Sequence, residues 1–290
     1  MSPVWSTELS LTSSVCAILI TMYAAIDIGG TKTLVAVFDK NKNIVEEHKF
    51  PTNHDYEIFK IDLAKAVEEL STADFSRAVV AIPGLVDRKH GLGVHFGNLP
   101  WENVPVQKDV EHLVQCPVLI ENDANLAGLG EAAELDDKKQ RVLYITVSTG
   151  IGGGYVTNGK IDPKFEDAEI GHMLLEYKGR LEQWEHFASG SAIYKRYGMK
   201  AKDIVDPQVW YLIARNLAVG IINVIATMTP DIIIIGGGVG SHFEKFSERL
   251  EESLKIYETP LLSIPPIIKA KHPEEAVIFG CYEFARQHER

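Results

Sequence analysis

The first stretch of this 290-residue chain that could carry chemistry is DIGGTK, where Asp27 precedes Gly29 and Gly30, and Thr31 and Lys32 follow. Glycines that expose backbone N–H groups, a hydroxyl and an ammonium group suit the oxygens of a phosphate, and the carboxylate suits a metal ion bound to that phosphate. A Gly-Gly turn with polar neighbours is also common in plain β-hairpins. The stretch alone therefore leaves both interpretations open.

Apolar runs flank this turn and predict a strand, a tight turn and a second strand. One run ends at Asp27, and the next begins at Leu34 and reaches Phe38. A Walker A loop needs Gly directly before its Lys and a helix after it. Thr31 precedes Lys32 here and a strand follows, so a phosphate bound at this turn would lie on a β-hairpin.

Two later stretches are also rich in glycine. In STGIGGG, Thr149 and Gly150 lie between two strand-like runs, where a hydroxyl and an open backbone can approach phosphate. In IIIIGGGVG, Gly236, Gly237 and Gly238 follow a buried strand, and we predict that they pass under a nucleotide base or ribose. We expect a helix to begin three residues after Gly238. The dinucleotide fingerprint GxGxxG does not fit, because a serine occupies the position of its last Gly.

The stretch ENDAN places Asp123 where a strand is predicted to end and a helix to begin. Asp is a favoured helix N-cap, which gives this residue a purely structural interpretation. A carboxylate beside Asn122 and Asn125 could instead accept the proton of a sugar hydroxyl that attacks phosphorus. The sequence leaves both roles open.

Further polar side chains form a set that could bind a polyol. Asn98 lies in GNLPW, Glu169 and His172 lie in EIGH, and Glu185 lies in WEHFASG. Carboxylates, amides and an imidazole supply the donors and acceptors that the hydroxyls of a sugar require. Each residue alone is more often structural, but their occurrence together with three Gly-rich turns favours chemistry on a sugar and a phosphate.

Composition and charge exclude some classes of function. The formal net charge of −11 argues against a nucleic-acid surface, and 46% hydrophobic with 24% charged residues is ordinary for a globular protein. The three cysteines, Cys16, Cys116 and Cys281, are far apart and form no CxxC pair, so we expect a reducing compartment and a cytoplasmic protein.

Two apolar stretches raise the question of a membrane-spanning segment. Residues 1–21 contain no Lys or Arg and too short an apolar run to span, so we interpret them as a poorly ordered extension. Residues 209–228 carry Arg215, Asn216 and Asn223, which are costly in lipid. Asp206 and Pro207 suit the N-cap and first residue of a helix, so we predict a helix buried in the protein.

The order of predicted elements occurs twice along the chain. Residues 22–49 and 142–161 each give a strand, a Gly-rich turn, a second strand and a short third strand, and a helix and a further strand follow. This repetition predicts two α/β units of similar size. Ligands of α/β proteins bind outside the ends of strands, so we expect a cleft between the units to hold the site.

In their order and combination, these motifs resemble those of the ROK sugar kinases, within the actin-like ATPase superfamily. The resemblance covers Met22 to about Ala285 and includes IPGLVD and PDIIIIGGGVG. It implies two ribonuclease H-like domains around a central cleft, at 22–125 and 126–273, with a C-terminal helix at about 274–290 packed back on the first. It also implies a homodimer that binds a hexose and a nucleotide, with no nucleic acid or membrane as partner.

The resemblance further implies transfer of the terminal phosphate of ATP to the 6-hydroxyl of glucose or a related sugar. Asp123 would be the general base, and Asp27 would lie near Mg²⁺, through water. The phosphates would contact Gly29, Gly30, Thr31, Lys32, Thr149 and Gly150, the adenosine would lie on Gly236, Gly237 and Gly238, and the sugar would contact Asn98, Asn122, Glu169, His172 and Glu185.

One departure from the family pattern concerns zinc. Many members carry CxCGxxGC after the GH dipeptide, whereas GHMLLEYKGRLEQWEHFASG contains no cysteine. We therefore expect no structural zinc, and we expect Trp184 and Phe187 to hold this loop by packing. Zinc-free relatives include glucokinases that use polyphosphate, so the phosphate donor stays open.

The choice of sugar stays open among glucose, mannose, fructose and N-acetylated hexoses, with glucose favoured. Family members that repress transcription carry a helix-turn-helix before the first Gly-rich turn. Only 26 residues precede Asp27 here, and none of them is basic, so a repressor is not expected. A non-catalytic sugar-binding regulator is the alternative from another class.

Overall fold

The computed structural model describes residues 21–72, 74–136 and 141–289. Apart from Thr21, the extension predicted at 1–21 lies outside the described residues, as does Cys16. The described cysteines, Cys116 and Cys281, are both buried and free.

Fifteen strands, nine α-helices and three short 3₁₀ helices make up the described elements. The strands are β1 (Met22–Ile28), β2 (Lys32–Asp39), β3 (Ile44–Pro51), β4 (Arg77–Ile82), β5 (Leu85–Asp87), β6 (Leu92–Phe96), β7 (Leu99–Val104), β8 (Val118–Asn122), β9 (Arg141–Val147), β10 (Ile151–Thr157), β11 (Lys160–Ile161), β12 (Leu174–Tyr177), β13 (Arg180–Gln183), β14 (Ile232–Gly236) and β15 (Ile267–Lys269). The helices are α1 (Tyr56–Glu68), α2 (Val106–Val114), α3 (Asp123–Ala132), α4 (Trp184–Ala188), α5 (Gly190–Tyr197), α6 (Pro207–Met228), α7 (Gly237–Gly240), α8 (Ser247–Lys255) and α9 (Ala276–Gln287).

Two five-stranded sheets share one topology. Their strand orders are β3-β2-β1-β4-β8 and β11-β10-β9-β14-β15. In each, the first three strands are antiparallel and the last three run parallel. The repeated α/β unit predicted from the sequence is confirmed. The carboxyl ends of parallel strands meet at one edge of a sheet, so Asp27 on β1 and Asn122 on β8, the two strands that flank β4, lie near the same edge of the first sheet. Val147 and Gly236 end neighbouring strands of the second sheet.

Helices α3 and α9 lie between the two sheets. On α9, Cys281 and Tyr282 pack against Tyr23 and Phe38 of the first sheet. On α3, residues such as Leu129 pack with Tyr144 of the second sheet. A domain boundary placed between residues 125 and 126 falls inside α3. This helix contributes to the cores of both halves and so belongs to neither alone.

Helix α6 starts where the sequence predicted. The side chain of Asp206 accepts the backbone N–H of Gln208 at 2.8 Å, and Pro207 is the first helical residue. By length and apolar composition alone α6 could cross a membrane, but half of its apolar stretch is buried inside the part of the protein that the structure describes. Trp210 and Leu217 lie in the core of the second half.

The prediction was wrong at the third Gly-rich stretch. The chain turns directly into α7 at Gly237 rather than forming a flat floor that leads to a later helix. Gly237 has a φ of +80°, and a Cβ there would lie 2.6 Å from the Oγ1 of Thr146. Its N–H donates to the carbonyl of Pro273 at 2.8 Å. Only glycine fits this tight reversal, because side-chain residues rarely adopt that backbone conformation.

Candidate active site

The DIGGTK stretch forms the β-hairpin that the sequence predicted, with β1 and β2 antiparallel. The N–H of Gly29 donates to the carbonyl of Lys32 at 3.1 Å, and a Cβ on Gly29 would lie 2.7 Å from that oxygen. A side chain at this position would therefore open the turn. Lys32 is exposed and has no ion-pair partner among the residues described, so its ammonium group is available to an anion.

Thr52, just after β3, holds this hairpin from behind. Its hydroxyl donates to the carbonyl of Gly29 at 2.7 Å, and its N–H donates to the carbonyl of Thr31 at 3.0 Å. Since a carbonyl only accepts, the hydroxyl of Thr33 must donate to Thr52, at 2.8 Å. Both threonines are buried. The sequence analysis missed Thr52, because nothing in the pattern links it to Gly29, 23 residues earlier.

The start of α3 separates the two interpretations of ENDAN. Asn122 is the N-cap, and its Oδ1 accepts the N–H of Asn125 at 3.1 Å. Asp123 is the first helical residue, and its Oδ1 accepts the N–H of Ala124 at 2.7 Å. The interpretation of Asp123 as the N-cap is wrong. Its carboxylate stands at the helix N-terminus, where the helix dipole favours negative charge.

The other ENDAN amides are used inside the protein. The Nδ2 of Asn122 donates to the carbonyl of Gly84 at 3.0 Å, so both ends of this amide already have protein partners. Asn125 is buried, and its Nδ2 donates to Glu121 and to the carbonyl of Glu166. Asn122 keeps an edge at the surface, whereas Asn125 supports the site from within.

Two carboxylates meet at the cleft between the halves. Desolvation raises the pKa of Asp27 to about 6, against the attraction of the Lys32 ammonium group. Desolvation and then the negative charge of Asp27 raise the pKa of Asp123 to about 7. Desolvated carboxylates that lie close together, so that the charge of each disfavours the charge of the other, are typical of catalytic sites that move a proton. A cation arriving between them would favour the charged forms of both.

Several of the predicted sugar and phosphate residues meet in one pocket. A cavity of about 450 Å³ is lined by Asn98, Thr149, Gly150 and Glu185, among others. A Cβ on Gly30 would lie 3.4 Å from the Cβ of Asn98, so this asparagine faces the DIGGTK hairpin. The pocket thus joins residues from both halves of the chain.

Glu185 organises the side of this pocket formed by the second half. Its Oε2 accepts the N–H of Ile151 at 3.3 Å, and its Oε1 lies 3.7 Å from the Nε2 of His172. A Cβ on Gly150 would lie 2.6 Å from Oε2, so Gly150 leaves room for this carboxylate. Desolvation raises the pKa of Glu169 above its usual range; His172 opposes this rise and Glu185 adds to it. These three polar residues therefore share one electrostatic environment.

A second cavity, of about 610 Å³, adjoins the first at Thr149. Of the three predicted glycines, only Gly238 lines it, since Gly236 lies against the ring of Tyr144 and Gly237 against Thr146. The sequence analysis missed most of the lining: Ser191, Tyr194, Lys200, Lys202, His242 and Glu274. A cavity with a tyrosine, two lysines and several hydroxyls, beside a Thr-Gly turn, has the size and chemistry for a nucleotide.

The segment that replaces the family's cysteine stretch is the hairpin β12–β13 followed by α4. Trp184 and Phe187 are buried here, and Phe187 stacks on Tyr177 with ring centroids 4.3 Å apart. Across the ranges that the structure describes, no three His, Cys, Asp or Glu residues group so as to hold a metal ion alone. Mg²⁺ at Asp27 would therefore take its other ligands from phosphates and water, as Mg²⁺ commonly does.

A sequence model of the ROK family matches residues 23–288. The chain belongs to the ROK family. The resemblance inferred from the motifs is thus confirmed over nearly the whole length that they cover.

Three proteins with named activities are similar to this chain. An N-acetyl-D-glucosamine kinase of Haemophilus influenzae is 28% identical, over 89% of this chain and 97% of that protein. A ROK glucokinase of Streptomyces griseus, solved with glucose and AMPPNP, is 25% identical over 92% of this chain and 99% of its own, with a TM-score of 0.78. An inorganic polyphosphate/ATP-glucomannokinase of Arthrobacter is 29% identical over 92% and 100%, with a TM-score of 0.70. These structural matches confirm the predicted fold class, two actin-like α/β domains.

Proposed function

We propose that this ROK protein is an ATP-dependent hexose kinase that phosphorylates the 6-hydroxyl of glucose or a related sugar, with Asp123 as the general base. The observation that carries the proposal is the pair Asp27 and Asp123. Asp27 lies at the end of β1, before the DIGGTK turn, and Asp123 is the first residue of α3, and the two carboxylates are close enough for the charge of Asp27 to raise the pKa of Asp123. A base with a pKa near the working pH is well matched to proton transfer from an alcohol.

The chemistry follows from the placement of the two carboxylates. Ionised Asp123 accepts the proton of the sugar 6-hydroxyl while that oxygen forms a bond to the terminal phosphorus. The bond between this phosphorus and the bridging oxygen of ATP breaks, and ADP leaves with that electron pair. Mg²⁺ would spread the charge of the transferring phosphates. The hairpin N–H groups, Lys32 and the turn at Thr149 would hold the phosphate oxygens from two sides.

Support for glucose comes from Glu185 and its neighbours. A sugar that keeps its hydroxyls at C1 to C3 can pair with Glu169, His172 and Glu185, whereas a sugar that lacks them leaves these groups unpaired, at a cost of about 1–3 kcal/mol each. The N-acetylglucosamine kinases among the relatives favour a second candidate, an N-acetylated hexose. The glucomannokinase makes polyphosphate the alternative donor.

A coupled assay over glucose, mannose, fructose, N-acetylglucosamine and N-acetylmannosamine, each with ATP and with polyphosphate, tests the proposal. We expect the highest kcat/KM for glucose with ATP. A preference of about tenfold or more for an N-acetylated sugar would replace glucose as the substrate, since tenfold corresponds to about one unpaired polar group. Sugar binding without phosphate transfer from either donor would instead favour the regulator.

A further inference from the structure

Arg88 lies in the first half of the chain, directly after β5, and reaches into the second half. Its Nε donates to the Oε2 of Glu121 at 2.7 Å, and its Nη2 donates to Oε1 of the same carboxylate at 2.5 Å. On its other side, Nη1 donates to Asp167 at 2.8 Å, and Nη2 also donates to the carbonyl of Glu166 at 3.1 Å. One guanidinium group therefore bridges the cleft-forming halves.

The Glu121 end of this bridge is built into the ENDAN segment. Glu121 is only 2% exposed, and its Oε1 also accepts the N–H of Asn122 at 2.7 Å and the Nδ2 of Asn125 at 3.0 Å. Asp123 follows two residues later. Through these two contacts, the Glu121 carboxylate holds in place the backbone that carries the proposed base.

The other end belongs to the segment that leads to the sugar pocket. Residues 162–169 connect β11 to a short 3₁₀ helix that contains His172, and Glu169 comes two residues after Asp167. Asn125 donates to the same carbonyl of Glu166 at 2.8 Å. Arg88 and Asn125 therefore hold this segment at one point, just before Glu169.

We propose that Arg88 is a positioning residue that fixes Glu169 relative to Asp123 and so sets the sugar affinity of the site, an inference that rests on the proposed function. The planar guanidinium group offers donors in a fixed fork, and here the fork meets one carboxylate on each side. A lysine carries the same charge, but its three donors sit on one nitrogen, which cannot reach both carboxylates in this geometry. Replacing Arg88 by Lys would keep the charge opposite Glu121 and lose the bridge.

The test compares Arg88→Lys with Arg141→Lys, a matched control. Arg141 also forks onto a carboxylate, Asp231, with contacts of 2.6 and 3.2 Å, but it does so at the surface of the second half. For Arg88→Lys we expect the KM and Kd for the sugar to rise about tenfold to hundredfold, as for the loss of one or two charge-assisted hydrogen bonds. The KM for ATP should stay within about twofold of wild type, because the bridge touches neither phosphate turn. The control should change neither constant.

Asp167→Asn provides a second variant that leaves the buried pair intact. The Asp167 side chain is 60% exposed, so its replacement should change the free energy of unfolding little, and its loss of charge should raise the sugar KM less than Arg88→Lys does. The proposal is overturned if both variants keep the sugar KM of wild type, or if Arg88→Lys raises the KM for sugar and for ATP alike, as a general loss of stability would. Failure of the wild type to bind or phosphorylate any sugar would instead overturn the proposed function, and this inference with it.

Discussion

The side chain of Asn122 accepts the backbone N–H of Asn125 at 3.1 Å and so caps α3, the helix whose first residue is Asp123. The cap and the carboxylate are therefore two different residues. Capping depends on Asn122 and not on Asp123, so the helix start and the chemistry can be altered by separate replacements. The role of the Asp123 carboxylate can therefore be measured directly.

Asp123→Asn should lower kcat by about 10²–10⁴-fold, the usual contribution of a general base. The amide keeps the size of the carboxylate and can still accept a hydrogen bond through its oxygen, so the Kd for sugar should change much less. Asn122→Ala serves as the control for the helix start and should lower the free energy of unfolding by about 1 kcal/mol. If Asp123→Asn retained more than about a third of kcat, Asp123 would not be the base.

The stability of the metal-free protein should depend on pH through the two cleft carboxylates. Their folded pKa values, about 6 for Asp27 and about 7 for Asp123, lie above the ordinary value of 3.8. Between pH 4 and 7 the folded state therefore binds more protons than the unfolded state, and the free energy of unfolding falls as pH rises through this window. The two groups titrate as a pair.

Urea denaturation in a chelator at pH 5 and pH 8 measures this effect. Asp123→Asn removes the group with the higher pKa, so it should lose less stability between the two pH values than wild type does. Asp231→Asn is the matched control, since hydrogen bonds from Arg141 hold the pKa of Asp231 below its usual range and it stays ionised throughout. Equal pH dependence in all three proteins would contradict the raised pKa of Asp123.

Thr52→Val should weaken ATP binding without altering sugar binding. The valine keeps the shape of threonine but leaves the carbonyl of Gly29 and the hydroxyl of Thr33 without their buried partner, at a cost of about 1–3 kcal/mol in stability. Because these contacts hold the DIGGTK hairpin, which is proposed to bind the phosphates, the KM for ATP should rise while the Kd for sugar stays constant. Thr52→Ser keeps the hydroxyl and should behave as wild type. A Thr52→Val protein with an unchanged KM for ATP would remove the hairpin from the phosphate site.

Zinc should be absent from the purified protein at stoichiometric level. The expectation rests on the missing cysteines and on the aromatic packing of Trp184 and Phe187 in the segment after His172. Elemental analysis checks the metal content, and activity should return after chelation once Mg²⁺ is restored. About one tightly bound zinc per chain would contradict the prediction.

Much of the architecture could be predicted because it rests on local patterns. The apolar runs around Asp27 and the pair Asp206 and Pro207 specify a hairpin and a helix start through short-range rules, and the structure has both. The repeated pattern predicted two similar α/β units, and the structure has two sheets of one topology. Glycine content alone misled at Gly237, because glycine permits a sharp reversal into a helix as readily as an open turn.

The supports of the site could not be predicted, because they join residues that only the folded chain brings together. Thr52 acts on a turn 23 residues earlier, and Arg88 reaches a segment 78 residues later. The cap shows the same limit at short range. Both Asn122 and Asp123 can cap a helix, and the sequence does not say which one starts it. The precise start depends on how Glu121 and Gly84 hold the strand end before it.

The packing of α9 on the first sheet has a consequence for synthesis on the ribosome. Tyr23, Ala25 and Phe38 belong to strands that emerge early, yet the face that they form is covered by Cys281 and Tyr282, which emerge more than 240 residues later. Domains usually fold in order as the nascent chain grows. Here the early half would wait with an open apolar face until the last helix arrives, so its completion is a late event, and during that wait the nascent chain is a natural client for chaperones.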